Sequence, residues 1–213
     1  MAGVLVSATV AQLLLSSGAA LGKPDEADGT ASVVEIRPVL LEPEMVPPVA
    51  PSDEAAVASV ASCDPAAVAA LSGVATSAPS ADAADECVIV AGTDGDERYY
   101  LGAAAVTADS FRKARAHFQR GMGWTVEGKL TDKGSKAFDD LARRQFRESV
   151  GIVVDGTVVS APVIQPDATK FTSFDGAIAI SRGGVTELDK RGARELARDI
   201  NASARLDTKT GER

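Results

Sequence analysis

Aromatic side chains are scarce in this sequence, at 4% of 213 residues, although 45% of the residues are hydrophobic. Surfaces that bind nucleic acid gather Lys and Arg with exposed aromatics, and neither is gathered here, so a nucleic-acid partner is not expected. Histidine is scarcer still. The only one, His117, lies in FRKARAHFQ with no Cys, Asp or Glu at ligand spacing, and reads as a solvated or half-buried ring. Cys63 and Cys87 have no CxxC partner, which leaves no zinc site and no other metal site. Ser160 lies in VVSAPV rather than GxSxG, so it ends a strand instead of serving as a nucleophile. Asp139 and Asp140 are adjacent within a helical pattern; helix neighbours diverge by about 100°, so the pair cannot share a proton and reads as a solvated face. Gly183 and Gly184 in SRGGVT lack the spacing and the Lys of a phosphate loop. No constellation supports catalysis or a cofactor, and the chain is not expected to be an enzyme.

Charge is also missing from one place. Residues 4–22, VLVSATVAQLLLSSGAALG, carry none and are followed at once by KPDEADG. This resembles the apolar region of an export signal, with small residues near a cleavage point, but no Lys or Arg precedes it. The segment 1–22 therefore reads as a signal peptide or an N-terminal anchor, and contact with a membrane is expected only through it if it is not cleaved. The net charge of −8 is unevenly held: residues 1–97 carry 15 acidic and 2 basic side chains (−13), residues 98–213 carry 15 acidic and 20 basic (+5).

The expected organisation follows from composition. Residues 23–86 read as a flexible acidic linker rich in Pro, Ala, Ser and Asp, with one short strand at 33–40 and a short helix at 65–72 capped by Asp64. If Cys63 and Cys87 join, they close a loop of about 25 residues and stabilise the fold by roughly 3 kcal/mol on the chain-entropy model; the alternative is two inert thiols. Residues 87–201 read as an α+β domain and 202–213 as a polar tail. Within the domain GWTVEGKL alternates as a half-buried strand, and TDKGSKAFDDLARRQFRES is helical, with Asp132 as the expected cap. GIVVDGTVVSAPVI reads as a hairpin turning at Asp155-Gly156, whose unbroken apolar runs place both strands centrally. GAIAIS adds a strand, and Thr186 is the expected cap of a last helix. The order predicts an antiparallel sheet with two main helices on one face.

Several stretches fall in the order found in the SecD/SecDF protein translocase family, in the head of its first extracytoplasmic domain. They are EIRPVL (35–40), the cysteine pair, YYLGAAAV (99–106), GWTVEGKLTDKGSKAFDDLARR (123–144), GIVVDGTVVSAPVIQ (151–165), AIAIS (177–181) and ELDKRGARELARDI (187–200). The chain is identified as resembling a stand-alone head. Its two-cysteine insertion looks like the actinobacterial version, which supports a Cys63–Cys87 disulfide and an extracytoplasmic location, secreted or anchored at the outer face of the cytoplasmic membrane. The resemblance implies an α+β fold and a non-catalytic role in protein translocation. The partners it implies are an unfolded or emerging secretory polypeptide or an envelope protein, with Sec translocon components a further possibility. In the family, charged groups on membrane-spanning helices drive the work; the polar sequence NASARLDTKTGER here carries the expectation of an accessory without its own proton-driven motor. Polypeptide would be held by apolar and main-chain contacts from a sheet edge or groove. The polar loop 166–176 around Phe171 and Phe174 is the expected adaptable surface, unless both rings fold back onto the sheet. The alternative function is a structural or regulatory envelope protein that keeps the fold without binding preprotein.

Overall fold

In the computed structural model the described residues are 33–48, 60, 62–71, 73–77, 84–93, 97–121, 123–181 and 188–210, with backbone alone at 203 and 205–210. The segment 1–22, much of the acidic linker, and Gly183, Gly184 and Thr186 lie outside them. The elements are β1 (Val34–Leu41), α1 (Pro65–Ala69), β2 (Val88–Gly92), β3 (Arg98–Leu101), β4 (Val106–Thr107), β5 (Phe111–Gln119), β6 (Gly123–Leu130), α2 (Asp132–Arg144), β7 (Val150–Val154), β8 (Thr157–Ser160), β9 (Ala177–Ile180) and α3 (Lys190–Thr210). The class is α+β.

The strands divide into two sheets rather than one. The first runs β3-β2-β8-β7-β1-β4, and β3 also pairs with β1, so β1, β7, β8, β2 and β3 form a closed ring. All its pairings are antiparallel except β2–β8, which is parallel. β1 is central to this sheet, with partners from Val34↔Val154 to Pro38↔Val150. The folded domain thus reaches upstream of residue 87, into the stretch whose composition reads as linker. Side chains alternate across each strand of the ring. Val153, Val158, Val88, Val90 and Leu101 form a small interior cluster, while Val34, Ile36, Val150 and Ile152 face outward into the main core. Because β7 is covered on both faces, its sequence VGIVV shows no polar alternation.

Alternation also sends Glu35 and Arg37 to the inner face of the ring, opposite Val153 and Gly151. Both are buried; Arg37 Nε donates to Glu35 Oε2 at 2.8 Å, and Arg37 Nη1 donates to the carbonyls of Glu86 (2.7 Å) and Gly102 (3.1 Å). A buried charge is tolerable only with such partners.

The β7–β8 turn is Asp155-Gly156, with φ of 50° and 72°, between the paired Val154 and Thr157. Two positive φ values in a two-residue loop match the twist of the flanking strands, and Asp and Gly tolerate them. Asp155 also ties the turn to β1: its Oδ1 accepts from the Val33 N–H, and its own N–H donates to Val33 O, both at 2.9 Å.

Outside the ring, Cys63 and Cys87 are joined in a disulfide with Cα atoms 5.4 Å apart. The bridge holds α1 beside β2. Asp64 Oδ1 caps α1, accepting from the N–H groups of Ala66 and Ala67. Val68, Val74, Ile89 and Tyr100 pack beneath α1. Burial pushes the Tyr100 hydroxyl pKa up, and that hydroxyl donates to Val60 O at 3.2 Å. Arg98 fastens the same layer, donating to the carbonyls of Val74 and Pro47.

The second sheet is β5-β6-β9, antiparallel throughout. Ala114, Val126, Leu130, Ile178 and Ile180 lie in the main core with Phe138, Leu141 and Ala142 of α2 and Ala193, Leu196 and Ile200 of α3. Full burial of a side chain such as Leu141 contributes on the order of 2 kcal/mol. On β6, Gly128 leaves room for its neighbours: an added Cβ would lie 2.7 Å from a Phe111 ring atom and 3.1 Å from Ile178. β5 has little hydrophobic alternation of its own and folds as a strand through eight residues paired with β6 and the cover of α3.

Helix boundaries differ from the sequence reading at several points, α1 ending at Ala69 rather than 72. Thr131 caps α2, accepting from the Gly134 N–H at 3.1 Å, because Asp132 already has helical geometry and Thr131 is extended. Residues 188 and 189 are not helical, and Asp189 accepts from the Gly192 N–H at 2.6 Å, so Asp189 caps α3; the expected cap, Thr186, lies outside the described residues. α3 also continues beyond residue 201, to Thr210.

Candidate functional site

A concavity of about 350 Å³ lies between the two sheets at β9, and none of the twelve described residues that line it is charged. The floor comes from the outer face of the ring, through Ile36, Val150 and Ile152, and from Phe138 of α2. One lip is β9 at Ala177, Ile178 and Ala179; the other is residues 162–165, which leave the ring after β8. Val163 on that second lip is 44% exposed, one of the few large apolar side chains so placed among the described residues.

Local chemistry explains both lips. Pro162 has no N–H and ends the β8 ladder, but its carbonyl accepts from Val150 N–H (3.1 Å), and Ile164 N–H donates to Glu148 O (2.9 Å). Residues 163 and 149 therefore form a bridge, and Val163 stays extended beside the cavity. Gln165 holds the following loop by a two-way clasp: its Nε2 donates to Thr172 O (2.6 Å), and its Oε1 accepts from Thr172 N–H (3.0 Å).

Phe171 and Phe174 sit on the core rather than standing free on a loose loop. Phe174 lines the cavity and meets Phe138 edge-on with centroids 5.0 Å apart. Phe171 meets Phe146 at 6.5 Å and lies beneath the Arg143 guanidinium, 5.0 Å from its ring centre. Asp139 is central to this arrangement. It accepts from Ser173 Oγ (2.5 Å) and from the Phe174 N–H (3.0 Å), so it positions the aromatic loop instead of belonging to a merely solvated face. Asp140 pairs outward with Lys136 at 2.7 Å, and that hydrogen bond holds its carboxyl pKa below the usual value.

The other residues of chemical interest are scattered. His117 is exposed on β5, and Ser160 ends β8. Burial pushes the Tyr99 hydroxyl well up, helped by its hydrogen bond to Glu97, but Tyr99 lies on β3, away from the cavity lining. Among the described residues no group of three His, Cys, Asp or Glu is placed to hold a metal, and no helix is long and apolar enough to cross a membrane. What the cavity offers among its described lining residues is mostly apolar side chains with a single Gln, beside the strand that runs through Ala177 and Ala179. Sequence reasoning did not single out Val163, Ala177 or Ala179. The available signal was AIAI itself, a strand with neither charge nor proline.

Residues 86–204, more than half of the 213-residue chain, match the family model described as the SecDF P1 head subdomain. The protein translocase subunit SecD of Streptomyces coelicolor is 39% identical over 95 residues, covering 40% of this chain and 17% of that protein, so the chain spans under a fifth of the length of that curated relative. Two solved SecDF structures cover much of the chain. One, in a super-membrane-facing form, has a TM-score of 0.46 at 22% identity over 82% of this chain and 19% of its own. The other, a membrane component described as enhancing protein export, has 0.44 at 20% over 83% and 63%. By the extent of the family match, this chain belongs to the SecDF P1 head family.

Proposed function

We propose that this protein is a non-catalytic accessory of protein translocation that holds an unfolded secretory polypeptide in the cavity between β9 and residues 162–165. The observation that carries this reading is an uncharged cavity of about 350 Å³ whose wall includes Phe174 and the exposed Val163. An unfolded chain presents apolar side chains and free main-chain groups together, and this cavity meets both. Membership of a family named for the translocase supports the class of partner, and Sec components are proposed as neighbours on the same ground. The Cys63–Cys87 disulfide supports an extracytoplasmic location at the outer face of the membrane, since such bonds persist in oxidising compartments. In this reading the described part of the chain supplies capture, and the driving force comes from elsewhere.

The test is the affinity of a permanently unfolded secretory polypeptide for the full chain, measured by fluorescence anisotropy. Val163→Asp places a charge on the lip, and Phe174→Ser removes a wall; each is expected to weaken binding about tenfold, equivalent to about 1.4 kcal/mol. Phe171→Ser, one ring behind the wall, should weaken it less. Wild-type protein that binds no unfolded chain, or Val163→Asp with wild-type affinity, sinks the proposal.

A further inference from the structure

The two outer strands of the three-stranded sheet are finished differently, and the register shows which main-chain groups each leaves outward. Leu130 N–H donates to Gly176 O (2.9 Å), so residues 130 and 176 are a hydrogen-bonded pair, and by alternation so are 128↔178 and 126↔180. Gly128 thus spends its main-chain groups on β9, which leaves Ala114, opposite it on β5, with N–H and C=O outward. Both are taken: the Asn201 side chain of α3 accepts from Ala114 N–H at 2.9 Å and donates to Ala114 O at 2.8 Å. β5 further carries Arg112, Lys113 and Arg115, charges of the kind that keep an edge from pairing.

On β9 the same alternation turns Ala177 and Ala179 outward. Ala177 N–H donates to Phe174 O at 3.0 Å. That leaves the Ala177 carbonyl and both main-chain groups of Ala179 directed away from β6 along the lip of the cavity, on a strand whose one partner among the described residues is β6. β9 has no charge and no proline. We infer that an extended polypeptide segment binds by strand addition to the outer edge of β9, hydrogen-bonding Ala179 N–H, Ala179 C=O and Ala177 C=O. In an added strand, side chains alternate between faces. Every second one would drop toward Ile36, Ile152 and Phe174, and the others would lie over the solvent face beside Ala177 and Ala179. Because the lining is uncharged, the segment it fits is uncharged and apolar at alternate positions, with residue identity otherwise free. Such recognition reads the main chain, which all secretory polypeptides share.

This inference rests on the proposed polypeptide binding, and its test separates the two. The probe is an uncharged peptide of about eight residues alternating Val and Ser, titrated against the full chain. A set of peptides each carries one N-methyl group, moved along the sequence. Strand addition predicts losses of about tenfold at every second position and little change between them. Ala179→Pro removes an N–H that makes no bond within the sheet and should weaken binding similarly while the far-ultraviolet circular dichroism is kept; should that variant not fold, the methyl scan on wild-type protein decides alone. Binding with no alternation in the methyl scan overturns strand addition and leaves the cavity reading standing, whereas no binding of the unmodified peptide overturns both. A dimer that the peptide dissociates would show that a second copy occupies β9, and that too overturns the proposal.

Discussion

The two sheets of this protein treat their edges in opposite ways. The ring of β1, β7, β8, β2 and β3 closes through the β3–β1 pairing and carries a disulfide on its outside and an ion pair within. The three-stranded sheet has one edge covered by Asn201 and another, β9, beside an uncharged cavity. An uncovered edge invites unwanted association, so natural sheets blunt theirs. β5 is blunted twice, whereas β9 carries no such device among the described residues; in the proposed function this is a division of labour in which the ring supplies stability and β9 supplies contact.

The most severe way to break this division is from inside the ring. Arg37→Leu strands Glu35, a buried carboxylate, without its guanidinium, and removes the bonds to Glu86 and Gly102. The expected loss is about 4 kcal/mol, read from urea denaturation. Double replacement Glu35→Leu, Arg37→Leu should recover much of it, because the cost lies in the unpaired charge.

Reducing the disulfide, or replacing both cysteines by alanine, should cost about 3 kcal/mol, because the loop of 24 residues regains freedom in the unfolded chain. The same change should leave peptide affinity at β9 as it was, since neither cysteine lines the cavity. Affinity falling in step with stability would show that ring and edge are not separate.

These two features also mark the limits of what the sequence tells. The Asp155-Gly156 turn, the strand GWTVEGKL and the helix around Phe138 are local patterns, each carried within one short window. Glu35 and Arg37 look like solvent-facing residues of a short strand, because their burial depends on β7 and β3, both distant in sequence. Closure of the ring and the parallel β2–β8 pair depend on contacts of the same kind. β5 is hidden for another reason: between Phe111 at its start and Gln119 at its end the one buried side chain is the small Ala114, and much of the apolar cover comes from α3. At the cavity, Phe174 stands out by residue type. Asp139 and Asn201 act through partners about 35 and 87 positions away, and no spacing rule could pair them.

Within the three-stranded sheet the largest effect is expected at its middle. Gly128→Ala sets a methyl against the Phe111 ring and Ile178, one on each neighbouring strand. Overpacking of this kind should cost about 2 kcal/mol, and it should weaken peptide binding as well by shifting β9. Loss of stability with unchanged binding would mean that the β9 edge does not depend on its register with β6.

Asn201→Ala uncovers the Ala114 N–H and C=O while leaving α3 its best helix former. The expected cost is about 1 kcal/mol, small because water can reach these partly buried groups. The more telling readout is association. With β5 opened, the sheet has two edges without a partner among the described residues, and light scattering should detect more self-association than in wild type, reduced by restoring Gln or Asn at 201. A monomeric Asn201→Ala variant would mean that the arginines and lysine of β5 already suffice.

The smallest effect is expected from the solvent face of the same sheet. Arg115 and Glu127 pair across β5 and β6 at 2.6 Å, and the hydrogen bond from Arg115 holds the Glu127 carboxyl below its usual pKa. A carboxyl whose folded pKa is depressed contributes stability above its unfolded pKa and loses it as pH falls through the folded value. Both side chains are well exposed, so screening should make Glu127→Gln nearly silent in denaturation at neutral pH, and the small difference from wild type should vanish on acidification. Peptide affinity should stay flat over the same titration as long as the protein remains folded, because none of the described residues lining the cavity titrates. Affinity that followed the Glu127 carboxyl would move the contact from the edge of β9 to the charged face of the sheet, and recognition would then depend on side-chain charge instead of the main chain.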